Sequence, residues 1–298
     1  MAISVVIPTK DRKLSLQKIL PSYLAESEVK EVIIVIDGST DGTKEFLDLY
    51  TKKEPKVRYL KNIKNRGMPY SKNKGIRSAK HDYIFIGEDD LEITEGFFRT
   101  LLKHKEQMGF DIISGRTIWR NEYESADESI QRTNLMKGTY VSKKDISTNS
   151  NLSLKNDEAQ LLLTAPMLAK ARVFRQIGFD EIYKVNFWRE ESDFQLSAQE
   201  AGYKLGTCPH AICFNFVINK DRGGAHAAIG MRRVIWVVIN DWRFINKHNW
   251  FIKENFDIGN RNIYIIKFTI KRIYIDFILP IIIPPLSKIK HYLLKIFR

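Results

Sequence analysis

The chain has 298 residues, 44% hydrophobic and 28% charged, an ordinary globular composition that excludes a wholly disordered protein. That length allows one or two domains and a full core without disulfide or metal staples. The 48 basic against 35 acidic side chains leave a net charge of +13, which points to an anionic partner: nucleic acid, an anionic membrane or a phosphorylated substrate.

The opening Met1–Pro8 lacks a basic region and a cleavage site, and reads as a first strand rather than a signal peptide. Ile3–Ile7, Val32–Ile36, Val57–Leu60, Tyr83–Ile86 and Asp111–Ser114 are predicted strands. The first, second and fourth are near-continuous apolar runs, as strands covered on both faces should be. Between them Leu14–Ala25, Thr43–Tyr50, Ser71–Ser78 and Glu95–Met108 read as helices, with Asp41 a start signal for the second and Pro69 near the start of the third. This alternation predicts a mostly parallel sheet with helices on both sides. Trp119–Asp157 loses periodicity and carries Glu122, Glu124, Asp127 and Glu128; it reads as a solvated insertion or lid. An apolar run resumes at Leu161–Leu168. Helical patterns follow at Ala171–Ile177, Asp193–Ala201 and Met231–Phe244, with a strand at Ile212–Val217. Cys208 and Cys213 have C-x4-C spacing with no second pair, so they make neither a disulfide framework nor a zinc cage. They read as small apolar residues in or near a strand, in a reducing compartment.

Open α/β sheets bind ligands beyond the carboxyl ends of their strands. The first strand ends in Pro8-Thr9-Lys10-Asp11-Arg12, the second in Asp37-Gly38-Ser39-Thr40-Asp41-Gly42 and the fourth in Gly87-Glu88-Asp89-Asp90. Three strand ends thus bring carboxylates to one sheet edge. The triplet Glu88-Asp89-Asp90 repels itself unless solvated or neutralised, and a hard divalent cation with oxygen ligands is the usual remedy. The G-x-x-x-x-G-K-[ST] and G-x-G-x-x-G cradles are absent, so phosphates would need a metal and basic side chains. Asn65–Asn73, with Arg66 and Lys72, supplies the latter, although either alone also fits a solvated helix start. A second acidic cluster, Trp188-Arg189-Glu190-Glu191-Ser192-Asp193, opens a helix. The helix dipole accounts for one or two of these acids; the functional reading makes one a general base.

Ser4–Asp11, Asp37–Gly42, Asn65–Gly75, Glu88–Asp90 and Glu190–Asp193 resemble, in order and spacing, the motif series of family 2 glycosyltransferases of the GT-A fold. Gly178-Phe179-Asp180-Glu181 and Ala201-Gly202-Tyr203-Lys204 match the same pattern, and the resemblance covers roughly residues 2–226. It implies a Rossmann-like, mostly parallel twisted sheet flanked by helices. Residues 1–115 would be the nucleotide-sugar-binding half, 116–258 the acceptor-side half with the catalytic carboxylates, and 259–298 a basic, apolar helical tail. The resemblance sets Pro8, Thr9 and Asp11 beside the nucleotide, Asp37 on its base, and Gly67, Glu88 and Asp89 among the donor-binding residues. Asp90 becomes the ligand of Mn2+ or Mg2+, Lys72 falls near the diphosphate, and Glu191 holds the base position with Glu190 its rival. His226, in Gly223-Gly224-Ala225-His226, is a further candidate metal ligand.

The expected activity is therefore metal-dependent, inverting transfer of a hexosyl group from a nucleoside-diphosphate sugar to a hydroxyl or lipid-phosphate acceptor. A nucleotidyltransferase is the rival reading, but no glycine follows the first strand before Arg12. A basic nucleic-acid-binding protein is a third, opposed by where the charge sits. Asn260–Arg298 holds eight basic residues and one acid, in an isoleucine-rich stretch. Ile273–Leu286 contains Asp276, is broken by Pro280, Pro284 and Pro285, and is shorter than the roughly 20 apolar residues a span needs. The tail is expected to lie in the interface of an anionic, cytoplasmic membrane face; docking on the protein's own core and a re-entrant hairpin are the alternatives. The partners expected are a nucleotide-sugar donor, a glycan or lipid-linked acceptor and a membrane surface, and no nucleic acid.

Overall fold

The computed structural model describes residues 1–121, 124–216 and 230–278. In chain order the elements are β1 (Ile3–Thr9), α1 (Lys13–Ala25), β2 (Val29–Asp37), α2 (Thr43–Lys53), β3 (Val57–Asn62), α3 (Met68–Ser78), β4 (Tyr83–Ile86), β5 (Leu91–Ile93), α4 (Phe97–Met108) and β6 (Ile112–Trp119). Next come α5 (Ala126–Asn134), the short strands β7 (Val141–Ser142), β8 (Ser147–Thr148) and β9 (Glu158–Ala159), then β10 (Met167–Lys170), α6 (Ala171–Ile177), α7 (Glu190–Glu200) and β11 (Leu205–Asn215). Helices α8 (Gly230–Lys247), α9 (Asn249–Asn255) and α10 (Arg261–Ile273) follow, and a π-helical turn continues α10 over Tyr274–Ile278.

The main sheet runs β3-β2-β1-β4-β10-β6-β11-β5, with β9 added to β11. Strands β3, β2, β1 and β4 are mutually parallel, as are β6 and β11; β10 is antiparallel between the two sets. Successive side chains of a strand face opposite ways. Val5, Ile7, Ile34 and Ile36 therefore join a core with α1 and α4, while Val6, Ile33, Val35 and Ile86 join one with α3, α6 and α7. Both faces being covered is why these strands read as unbroken apolar runs. In register, Ile7 lies beside Ile34 and Val6 beside Ile86, so Thr9, Asp37 and Gly87 emerge on one edge. A third apolar cluster, including Tyr183, Leu196, Phe244, Ile245, Ile252 and Tyr264, joins α7 to α8, α9 and α10.

The differences from expectation have physical reasons. The strand expected at Ile212–Val217 is the end of β11, which starts at Leu205 and carries a bulge between Cys208 and Ile212. Pro209 cannot donate to a ladder, which hides this strand's continuity. Strand β5 is only three residues long. The insertion holds α5, started by a capping box in which Ser125 and Glu128 exchange hydrogen bonds. The first part of the tail is docked on the protein's own core: α10 buries Tyr264 and half-buries Ile265 and Phe268 against the third cluster. Its other face leaves Ile263, Ile266, Ile270 and Tyr274 exposed. Among the described residues no helix is long and apolar enough to cross a membrane. Residues 279–298, and with them most of the proline-broken run, lie outside the described residues.

Candidate active site

The carboxyl ends of β1, β2 and β4 and the first turns of α3 and α7 enclose a cleft of about 510 Å3. Pro8, Thr9, Asp37, Gly67, Lys72, Glu88, Asp89, Asp90, Glu190 and Glu191 all line it. Residues 182 positions apart in sequence are thus gathered at one sheet edge, from Pro8 through Glu190.

On the donor side Asp37 accepts hydrogen bonds from the backbone N–H of Arg66 (2.7 Å) and Gly67 (2.8 Å) and from Asn62 Nδ2 (2.9 Å). A strand-end carboxylate here fixes the loop that leads into α3. Gly67 has φ +97°, and a Cβ on it would stand 2.7 Å from the Phe187 ring. Asp11 is not among the cleft residues. With φ 52° it turns its carboxylate to the Thr40 backbone N–H (2.6 Å) and Thr40 Oγ1, tying two loops together. Its neighbour Arg12 points inward instead, with Nη1 3.4 Å from Asp90 Oδ2.

The acidic triplet is held from two sides. Thr9 Oγ1 donates to Asp89 (2.8 Å), while Asn215 Nδ2, at the end of β11, donates to both Glu88 (3.3 Å) and Asp90 (3.2 Å). Desolvation, reinforced by the charges of Asp90 and Glu191, pushes the Glu88 carboxyl up to about 8. Two hard oxygen donors that converge on one amide and repel each other suit a divalent cation that keeps waters and takes substrate phosphate oxygens. Arg12 shares Asp90 with any such ion. His226 lies outside the described residues.

Opposite the triplet, the approach to α7 is strained. Val185 (φ 68°), Phe187 (φ 54°) and Arg189 (φ 75°) all occupy the left-handed region, which a β-branched residue such as Val185 rarely enters. Such strain persists only where the surroundings over-determine it, and it clusters at functional sites. Arg189 is the anchor: its buried guanidinium meets Asp241 (2.7 Å), the Ile146 carbonyl and Tyr264 Oη (3.2 Å). Asp193, the last acid of the cluster, faces inward to Tyr183 Oη (2.8 Å), Lys247 Nζ (2.9 Å) and His248 Nε2 (3.0 Å), a structural role.

Lys72 is 2% exposed, with Nζ 2.6 Å from both Glu190 and Glu191. Its ammonium is paired with both carboxylates; Lys10, Arg66 and Arg232 also line the cleft. The two acids differ. The Glu190 side chain is 1% exposed, and burial together with the Glu191 charge drives its pKa well above the usual range. Glu191 is 25% exposed; burial opposes its charge, but Lys72 and hydrogen bonds outweigh it and lower its pKa. Glu191 is therefore the more exposed member of the pair and the one whose charge Lys72 favours.

Arg12, Asn215 and Arg232 are among the site residues that sequence reading passed over. Arg12 sits in the quoted strand-end motif, one residue from Asp11. The strand-end rule would also have found Asn215 had β11 been ended there rather than at Val217.

A mostly parallel sheet with an acidic triplet after β4 and a carboxylate pair opening a later helix defines the GT-A class. Residues 4–166 match the sequence model "Glycosyl transferase family 2", and the chain belongs to that family. It is 31% identical over 128 residues to glycosyltransferase GlyG of Streptococcus pneumoniae, covering 43% of this chain and 40% of that protein. It is 27% identical over 146 residues to the GalNAc(5)-diNAcBac-PP-undecaprenol beta-1,3-glucosyltransferase of Campylobacter jejuni, covering 48% and 46%. The chain thus spans less than half the length of these curated relatives. Among solved structures, S. aureus TarS 1–349 with UDP-GlcNAc superposes with TM-score 0.56 at 15% identity, over 93% of this chain and 74% of that one. The mannosyltransferase PcManGT of Pyrobaculum calidifontis, with GDP-Man and Mn2+, gives TM-score 0.57 at 16% identity, over 83% and 64%. Identities this low speak for a shared fold.

Proposed function

We propose that the chain is an inverting hexosyltransferase that moves a sugar from a nucleoside-diphosphate donor to an acceptor hydroxyl in glycan assembly. The observation that carries this is the facing pair of sites in one cleft: the Glu88–Asp90 triplet on the sheet edge and an ionised, accessible Glu191 across from it. The Asp37-anchored loop supports a nucleotide base, and TarS and PcManGT carry nucleotide sugars. Glu191 takes the proton of the acceptor hydroxyl as that oxygen bonds the anomeric carbon. The bond from that carbon to the diphosphate oxygen breaks on the opposite face, so the configuration inverts. Lys72 keeps Glu191 anionic until the proton arrives. Mn2+ or Mg2+ held by Asp90 and Glu88 would supply charge stabilisation for the departing diphosphate. Lys10, Arg66 and Arg232 add positive charge around it.

The acceptor is a glycan or a lipid-linked glycan, and the exposed row Ile263, Ile266, Ile270 and Tyr274, near Lys267, rests on an anionic membrane surface. The test is a thermal-shift panel of UDP-, GDP- and dTDP-sugars with and without Mn2+, followed by donor hydrolysis, because a ligand of the native state raises its melting point. One donor should raise the melting temperature in a metal-dependent way and Asp90→Asn should abolish turnover. If no nucleotide sugar shifts the protein, or turnover survives both EDTA and Asp90→Asn, the reading fails.

A further inference from the structure

Far from the cleft, at the other end of β11, three side chains from separate segments converge. His104 comes from α4, Asp157 from the last residue of the insertion, and Cys208 from the bulged stretch of β11. One donor atom from each lies within 4.8 Å of the other two. Along the strand this cluster is roughly 20 Å from Asn215 and the triplet. His104 Nδ1 contacts Asp157 Oδ2, and Cys208 is fully buried. The Asp157 side chain is 10% exposed, and its other oxygen, Oδ1, is buried without a hydrogen-bond partner. Buried polar atoms are almost always satisfied, so an orphan beside an imidazole and a thiol asks for an occupant.

The bulge between Cys208 and Ile212 interrupts the ladder beside this cluster, where Cys208 Sγ lies next to donor atoms of His104 and Asp157. The His210 ring lies 5.3 Å from that of His104, centroid to centroid, and its side chain is exposed, so a fourth ligand position falls to it or to water. We propose that His104, Asp157 and Cys208 bind a structural Zn2+. Sulfur, nitrogen and carboxylate donors in one small site select zinc over the hard cations suited to the cleft. A tetrahedral ion with zinc's usual bond lengths needs neighbouring donors roughly 3.3–3.8 Å apart, within reach of small rotamer changes here. Binding displaces the Cys208 thiol proton to solvent and leaves every oxidation state unchanged. The ion fastens the end of the insertion to both α4 and the sheet. The C-x4-C spacing conceals this site, because only one of the two cysteines takes part and the other ligands are distant in sequence.

The full chain should be expressed with added zinc, dialysed against metal-free buffer and its metal content measured by mass spectrometry. A parallel titration of the metal-free protein with Co2+ would read the near-ultraviolet thiolate-to-cobalt band. About one zinc per chain and a strong band are expected. Cys208→Ser should abolish the band, Cys213→Ser should keep it, and His104→Gln, at a partly buried position outside the apolar core, should lose the zinc while circular dichroism stays native. Asp90→Asn should retain the zinc, which separates this site from the cleft. Zinc content no higher than in His104→Gln, or a cobalt band that survives Cys208→Ser, would overturn the proposal.

Discussion

The two walls of the cleft are held by opposite means. Behind the wall proposed to bind the donor, here the donor wall, β1, β2 and β4 are apolar strands sandwiched between two apolar layers. Behind the wall proposed to carry the base, the first turn of α7 is fastened by buried polar groups: Arg189 to Asp241, and the buried Asp193 carboxylate to His248 and to the partly exposed Lys247. Apolar packing is non-directional and tolerates small shifts. Buried ion pairs fix a geometry and fail badly when one partner goes. The donor wall is a platform, and the base wall is a positioned tool.

The largest expected effect falls on the tool itself. Glu191→Gln should cut turnover about 10²–10⁴-fold, with donor affinity by calorimetry nearly unchanged. Active Glu191→Gln together with inactive Glu190→Gln would move the base one residue back. Arg189→Met should cost about 3–5 kcal/mol in urea denaturation because it strands Asp241, and Arg189→Met/Asp241→Leu should recover much of it. If the single change is nearly neutral, the anchor is not where stability resides. Ile34→Ala, in the donor wall, should cost about 2–5 kcal/mol through loss of contacts and a cavity, with no dependence on pH.

Acid separates the walls further. Burial opposes the Asp193 charge, but the His248 hydrogen bond and Lys247 outweigh it, so its folded pKa is lowered. Its stabilisation is then complete above about pH 4, the ordinary aspartate value, and is lost as pH falls through the lower folded value. Asp193→Asn should flatten that acid limb of the stability curve, whereas Ile34→Ala should leave its shape alone. Smallest of all, Ile266→Ser on the outer face of α10 should change stability by less than about 0.5 kcal/mol. It should nevertheless weaken sedimentation with anionic vesicles; unchanged sedimentation would remove this stripe from the membrane proposal.

The same contrast governs what could be read from the sequence. Near-continuous apolar runs such as Ile3–Ile7 and Val32–Ile36 announce burial on both faces, and strand-end acids follow from them, so most of the donor wall was legible. The roles of Lys72 and Asp11 were not. Whether a lysine meets a diphosphate or two glutamates 118 and 119 positions away depends on how α7 docks, a long-range fact with no local signature. Asp11 and Arg12 differ only in a backbone turn at positive φ. Helix α5 was legible in hindsight, because Ser125-Ala126-Asp127-Glu128 is a capping box, but the polar stretch around it has no apolar period to prompt the search.

Gly67 and Phe187 bring the two walls into contact, ring against backbone. Any side chain at position 67 collides with that ring and also meets an unfavourable φ. Position 67 is therefore held to glycine twice over, and a change at position 187 lifts only one of the two restraints. The loop before α3 and the loop before α7 are thus coupled at this one contact. Libraries that randomise position 67 alone will return glycine; pairing it with position 187 removes the ring clash but leaves the positive φ, so glycine should still dominate, with asparagine the first alternative.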